Sequence, residues 1–390
     1  MISVEEAQRL CLGLAGTVGT EEIALADTAG RVLAVSAQAG RAQPPFRSAA
    51  MDGYAVKNSE VAIGAAFTVV GESAAGHGWD GTLEAGQAVR IFTGAPVPEG
   101  ADHVVIQEDV DRDGDTITIQ PNLGDGPNIR PEGVDFPSDF ALKAPRRLSA
   151  IDLALLAAMN VDRVTVAKRP VVDILATGDE LIMPGEVPTR DQIIASNLFA
   201  IKALVEQAGG IAHIHPIAAD TEEAITDAMK AMTGDIAITI GGASVGDYDL
   251  VGKVSDALGV ERSFYKIAMR PGKPLIAGRF PHGAPYLGLP GNPVSAIVCA
   301  LLFLIPLVKR MQGLDDVLPA TRTARLGHDT PKNGPRTHYM RATLDGDEVT
   351  IAGSQDSSLL TVMAEANCLV IRPIGDEARQ KGEVVEIVPL

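Results

Sequence analysis

The chain has 390 residues, of which 33 are Lys or Arg and 50 are Asp or Glu, a formal net charge of −17. That length suits roughly two to four domains, and the acidic balance argues against a general nucleic-acid binder while leaving room for a local basic pocket that takes small anions. Three cysteines, Cys11, Cys299 and Cys368, are too few and too scattered for a disulfide framework or CxxC metal spacing, which fits a reducing, cytoplasmic setting.

Residues 1–20 lack the basic start and long apolar run of a signal peptide. Residues 3–16 read as an amphipathic helix, with Ser3 and Glu6 spaced as a capping box and Val4, Ala7, Leu10, Cys11 and Leu14 on one face. Residues 20–42 look extended. PPFRSAAMDGYAV, residues 44–56, sets Asp52 and Gly53 in a turn before an apolar strand. Short strands and turns then run to about residue 136, with WDGT at 79–82 and RDGD at 112–115 as hairpin signals. Within this β-rich stretch, Thr93 lies in a TGAP turn, and NIRPEGVD at 128–135 places Arg130 near Asp135.

A short helix follows from Ala150 to Met159, and Arg169-Pro170 marks a boundary. Beyond it the pattern alternates: strand 171–176, helix about 196–208, strand 211–217, helix 221–232, then DIAITIGGASVGDYD at 235–249 leading into a helix to Leu258. Alternation of this kind predicts a parallel sheet with helices on both faces, and ligands then bind at the carboxyl ends of its strands. The most apolar stretch, Val294 to Val308, is interrupted by Pro306, falls short of a membrane span and reads as a buried helix. After Leu314 short strands return, including DGDEVTI at 345–351, as in a small β-barrel or sandwich.

The most informative stretch is the central loop. Gly241, Gly242 and Gly246 allow a tight turn and close approach of a ligand to backbone amides between a strand and a helix, a setting that favours oxyanions. Its spacing matches neither GxxxxGK[ST] nor GxGxxG, so a glycine-rich turn without ligand is the competing reading. The neighbours shift the balance: Lys266, Arg270 and Lys273 form a basic cluster in KIAMRPGKP, and in LPGNPVS Asn292 can cap a helix that starts at Pro293. Together they suggest a polyphosphate-like ligand. ATGDEL at 176–181 brings Asp179 and Glu180 to a strand end, and Asp220 and Asp249 each precede a helix, where the N-cap reading is the commoner one. A carboxylate beside an oxyanion loop repels phosphate unless a cation such as Mg²⁺ stands between them, so Asp249 favours metal-assisted chemistry. His213 and His215 alternate on one strand face; without a third ligand they read as a packed or exposed pair.

Seven stretches, SAAMDGYAV, RIFTGAPVPEGADHVVIQED, NIRPEGVD, ATGDEL, TIGGASVGDYD, KIAMRPGKP and GLPGNPVSA, occur in the order found in the molybdopterin molybdenumtransferases, the bacterial MoeA and gephyrin E-domain family, which this chain resembles from first helix to last strand. The resemblance implies an elongated homodimer of four-domain subunits with a multidomain α/β plus β architecture. Residues 1–42 and 137–168 would form one discontinuous domain, 43–136 an inserted β-rich domain, 169–318 a molybdopterin-binding-like α/β domain and 319–390 a C-terminal β-barrel. It also implies a cytoplasmic transferase that inserts molybdate into adenylyl-molybdopterin with Mg²⁺, releasing AMP and molybdenum cofactor. Carried over by motif, Glu180, Asp220 and Asp249 would organise metal and pyrophosphate, with Glu180 and Asp249 as the Mg²⁺ candidates. The ligand would rest on Gly241, Gly242, Ser244, Gly246, Lys266, Arg270, Lys273, Pro290, Asn292 and Pro293. Asp52, Thr93, Arg130 and Asp135 would reach the same cleft from the partner subunit, and a molybdopterin adenylyltransferase or cofactor-maturation proteins would be its partners, with no role for nucleic acid or membrane. Three positions depart from the usual pattern: Ala49 replaces a serine, Val134 a glutamate and Ala195 an aspartate. A binding scaffold without transfer activity would lose the carboxylates, and an adenylyltransferase would not need the AMDGYA segment or the barrel.

Overall fold

A computed structural model describes residues 1–242 and 250–390. At its centre lies a six-stranded sheet in the order Ile211–Ile214, Val171–Ala176, Ile236–Ile240, Pro285–Leu289, Pro274–Arg279, Glu261–Lys266. The first four strands run parallel, with Val172 opposite Ile236 and Ile238 opposite Leu287, and the last two fold back antiparallel. Val172, Ile174, Ile236, Ile238, Leu287 and Leu289 pack on one face against the helices Val4–Leu12, Ser196–Gln207 and Pro293–Met311. Leu175, Ala237, Ile276 and Tyr286 pack on the other against Glu222–Lys230 and Leu250–Ala257. Cover on both faces is why these strands are apolar at nearly every position instead of alternating.

The helix Pro293–Met311 corrects the expected interruption at Pro306 and the shorter length read from the apolar run. It continues through the proline for 19 residues, with a π-helical stretch at Ala300–Leu304 just before it. A proline has no N–H to bond the preceding turn, and a widened turn is one way a helix absorbs that loss. By length and composition alone this helix could cross a membrane, but 72% of its most apolar window is buried inside the fold.

The N-terminal helix keeps half of its expected capping box. Ser3 Oγ accepts from the Glu6 amide at 3.1 Å, while the Glu6 carboxylate turns to Arg9 at 2.7 Å. The complete box stands instead at Ser149 and Asp152, ahead of Ala150–Ala158. Residues near the start pair with the stretch before the central sheet: Thr20–Ala24 runs antiparallel to Arg163–Ala167, and Ala37–Gln38 to Ala141–Leu142. Between them lies a second six-stranded sheet built from His103–Ile106, Gly53–Val56, Gln87–Ile91, Ala66–Ser73, Thr116–Ile119 and Val110–Asp113. RDGD forms the predicted hairpin, with Asp113 opposite Thr116. WDGT does not: Trp79 lies flat against Gly71 and Gly81, where any Cβ would stand 2.3 Å from the indole, so packing governs this segment. At the C-terminus, Thr337–Asp345, Glu348–Ile351, Arg322–Leu326, Val384–Pro389 and Cys368–Arg372 close into a five-stranded barrel.

Candidate functional site

A cavity of about 710 Å³ opens at the carboxyl ends of Val171–Ala176, Ile236–Ile240 and Pro285–Leu289, where a parallel sheet is expected to place its ligand. Glu180, Asp220, Gly241, Gly242, Pro290, Asn292 and Pro293, all predicted from the sequence, line it. Gly241 and Gly242 form its floor at φ 93° and 64°, left-handed conformations that favour glycine. Ser244, Gly246 and Asp249 lie outside the described residues.

Three carboxylates gather at one edge. Asp179 accepts the Asp220 amide at 3.0 Å, and the Glu180 side chain folds back over Gly178, where an added Cβ would stand 2.6 Å from Glu180 Oε2. Desolvation, reinforced by Asp179 and then Glu180, raises the Asp220 carboxyl above its ordinary range. The edge therefore carries an excess of negative charge from hard oxygen donors, although these three carboxylates are not converged enough to hold a metal by themselves. Asp220 is not the N-cap expected of it. Thr221 takes that place, its hydroxyl accepting from the Ala224 amide at 3.2 Å, so Asp220 stays free to face the cavity.

The opposite wall is richer than expected. Pro293 begins its helix as predicted, but Asn292 makes no side-chain cap; its amide donates to Ser357 Oγ at 3.0 Å. The Val294 amide donates to the Ser357 carbonyl at 3.1 Å, so a segment from the barrel occupies part of this helix start. Ser358 and Leu360 of that segment line the cavity. At the start of Ser196–Gln207, Ala195 stands at the N-cap without a side-chain acceptor, and Asn197 donates to the Gly291 carbonyl at 2.7 Å.

The basic cluster divides. Lys266 lies over the Tyr265 ring at 5.0 Å, and the Lys273 carbonyl accepts from Ile267 at 3.1 Å, on the hairpin whose Pro274 reaches the cavity. Arg270 pairs instead with His338 at the barrel edge. There it joins Arg341, which is 1% exposed and donates to Gln355 Oε1 and to the carbonyls of Asp356 and Leu359. Burial and the neighbouring Arg270, Arg341, Arg336 and Arg372 push the His338 imidazole down to about 4. None of the three predicted cations lines the cavity itself. Arg341 was missed by sequence reasoning; it sits on the barrel strand's face away from the barrel core, where Met340 and Ala342 point inward, and is buried by the segment 355–359 that lies far off in sequence.

Asp52 and Thr93 come together, though 41 residues apart: one Asp52 oxygen accepts the Thr93 amide at 2.7 Å and its hydroxyl at 2.8 Å. These bonds, with the nearby Arg90, hold the Asp52 carboxyl below its ordinary range. Arg130 pairs its strand with Ser48, and no ion pair joins it to Asp135 among the described residues. All four residues lie within residues 43–136, Arg130 on a separate two-stranded ribbon beside the six-stranded sheet, and none lines the cavity of the same chain. His213 and His215 lean on Asp173 at 3.6 and 3.0 Å, and among the described residues no group of three or more His, Cys, Asp or Glu is placed to hold a metal.

Family models agree with this layout along the chain. Residues 2–160 match "MoeA N-terminal region (domain I and II)", residues 173–310 "Probable molybdopterin binding domain" and residues 323–390 "MoeA C-terminal region (domain IV)". A molybdopterin molybdenumtransferase of Nostoc sp. is 35% identical over 387 residues, covering 95% of this chain and 89% of the relative. One from Haemophilus influenzae is 33% identical over 380 residues, covering 95% and 94%. The crystal structure of a molybdopterin biosynthesis moeA protein from Pyrococcus horikoshii superposes with a TM-score of 0.86 at 26% identity, covering 100% of both chains.

Proposed function

Because this chain belongs to the molybdopterin molybdenumtransferase (MoeA) family, we propose that it transfers molybdenum to molybdopterin, with adenylylated molybdopterin and molybdate as substrates and AMP and molybdenum cofactor as products. The observation that carries this reading is the cavity itself, with a bare glycine floor, carboxylates at one edge and hydroxyl, amide and proline groups from two helix starts at the other. A pterin phosphate joined to AMP is a pyrophosphate, the ligand that such a floor accommodates. Cleavage adds the elements of water across the P–O–P bridge, and replacing molybdate oxygens by the two dithiolene sulfurs returns water. Gly241 and Gly242 let the phosphates approach the backbone, while Lys273, one residue before the cavity-lining Pro274, is the cation that favours the departing phosphate in this reading. Asp220 and Glu180 orient the anhydride from the acidic edge. Glu180, with Asp220 and Asp249 as further candidates, would hold Mg²⁺, which would supply charge neutralisation on the pyrophosphate.

Asp52, Thr93, Arg130 and Asp135 complete the site, in this reading, from a second copy of the chain in a cytosolic homodimer. An adenylyltransferase that makes the substrate is the natural partner. The test is AMP release by the purified protein given adenylylated molybdopterin, Mg²⁺ and molybdate. Molybdate-dependent release that Glu180→Gln loses supports transfer; tight substrate binding with no release by the wild type leaves a binding scaffold as the better account. Mixing inactive Asp52→Asn with inactive Glu180→Gln should restore roughly a quarter of wild-type activity if sites are shared between copies, and none if each chain is self-sufficient.

A further inference from the structure

Thr177 follows the last residue of the strand Val171–Ala176 and lines the cavity. Its amide donates to the Ile240 carbonyl at 3.1 Å, and the pairing with Ala218 beside it is made by the Gly178 amide and the Ala176 carbonyl. Thr177 is 3% exposed, yet among the described residues Oγ1 has no hydrogen-bond partner. The other buried threonines each have one: Thr28 bonds the Leu25 carbonyl, Thr239 the Tyr286 hydroxyl, and Thr330 receives Arg372. A buried hydroxyl without a partner costs free energy, and a methyl in its place would relieve that cost.

The surroundings explain what the hydroxyl is left open for. A Cβ on Gly242 would stand 3.1 Å from Thr177 Oγ1, and one on Gly241 would stand 3.5 Å from it and 2.8 Å from the Thr177 carbonyl. Side chains at these two positions would crowd the hydroxyl; with glycine there the floor itself lies against it, and a ligand that engages Oγ1 must shift that floor, because the atom has almost no exposure in the unliganded fold. We propose that Thr177 Oγ1 is a substrate-binding group that donates a hydrogen bond to a phosphate oxygen of the ligand on the Gly241–Gly242 floor. The inference rests on the proposed pyrophosphate-bearing substrate and assigns it a specific donor. A hydroxyl at this depth serves an oxyanion without adding charge beside Glu180 and Asp220, where a lysine would be drawn into an ion pair.

The test uses inorganic pyrophosphate, with Mg²⁺, as the calorimetric probe and three proteins: wild type, Thr177→Val and Thr177→Ser. Valine keeps the shape and removes the hydroxyl; serine keeps the hydroxyl. Expected results are at least about tenfold weaker pyrophosphate binding by the valine protein, near wild-type binding by the serine protein, and an unliganded melting temperature for valine equal to or above wild type. Equal binding by wild type and valine overturns the assignment of Thr177 and leaves the proposed function standing. A lower unliganded melting temperature for valine also overturns it, because the hydroxyl would then have a partner within the fold. If valine weakens binding of molybdate alone but not of pyrophosphate, the phosphate assignment is overturned in favour of molybdate. Absence of pyrophosphate binding by the wild type overturns both this inference and the substrate reading beneath it.

Discussion

Gly242→Ala tests the glycine floor most directly. A Cβ there would stand 2.2 Å from Val251 Cγ2, far inside contact distance, and would impose a side chain on a backbone at φ 64°. The left-handed conformation costs a non-glycine residue about 1–2 kcal/mol, and forcing a methyl against a packed valine adds about 1–3 kcal/mol. The sum, about 2–5 kcal/mol, is a large part of the stability of an ordinary domain. Val251 is fully buried on the helix Leu250–Ala257 and is not free to move aside. Trp79, the chain's one tryptophan, lies against Gly71 in the inserted sheet, so its fluorescence would report the wrong region. Hydrogen exchange of the Ile236–Ile240 amides reports the right one. Gly242→Ala should speed exchange there roughly thirtyfold or more. Adding Val251→Ala should recover part of the loss by removing the overlap but not the backbone strain, giving a favourable coupling between the two changes. Exchange within a factor of two of wild type in Gly242→Ala alone would refute the packing argument.

Other perturbations have equally definite outcomes. Ala195→Ser supplies the missing acceptor at the start of Ser196–Gln207 and should stabilise the protein by about 1 kcal/mol in denaturant titration; no gain would mean that the first-turn amides are already satisfied. Asp220 has a raised carboxyl, so its contribution favours folding at low pH and is lost as pH rises through the raised value. Asp220→Asn should flatten the decline in melting temperature across that window, and an unchanged profile would show that Asp220 feels no net repulsion. Burial pushes the Cys11 thiol up to about 12 and raises Cys299 and Cys368 as well. A thiol reagent should therefore label none of the three cysteines in the native protein and all three in denaturant.

Much of the fold was legible because its signals are local. The apolar run Ile236–Ile240, the two glycines after it and the helix beyond are neighbours in sequence, and strand, turn and helix follow from period and conformational freedom alone. The hairpins at RDGD and DGDE follow in the same way, with Asp113 opposite Thr116 and Asp345 opposite Glu348. Asp52 and Thr93 became candidates through family motifs, and only the folded inserted sheet joins them across 41 residues. Asp220 and Asn292 sit where N-caps sit, yet local position could not show that Thr221 takes the first role or that Ser357 claims the side chain of the second.

What tertiary structure decided is therefore which polar groups have partners. The turn of Arg270 toward His338, the barrel segment that places Ser358 and Leu360 at the cavity, and the buried Arg341 depend on contacts between distant parts of the chain. Thr177 is the sharpest case. Its sequence context predicts a strand end and nothing more, but a hydroxyl's value depends on what surrounds it in space, and here it lies against two glycines with no partner among the described residues. Chain order determines backbone conformation over a few residues; hydrogen-bond satisfaction and desolvation belong to the packed interior, where residues far apart in sequence compete for the same few atoms.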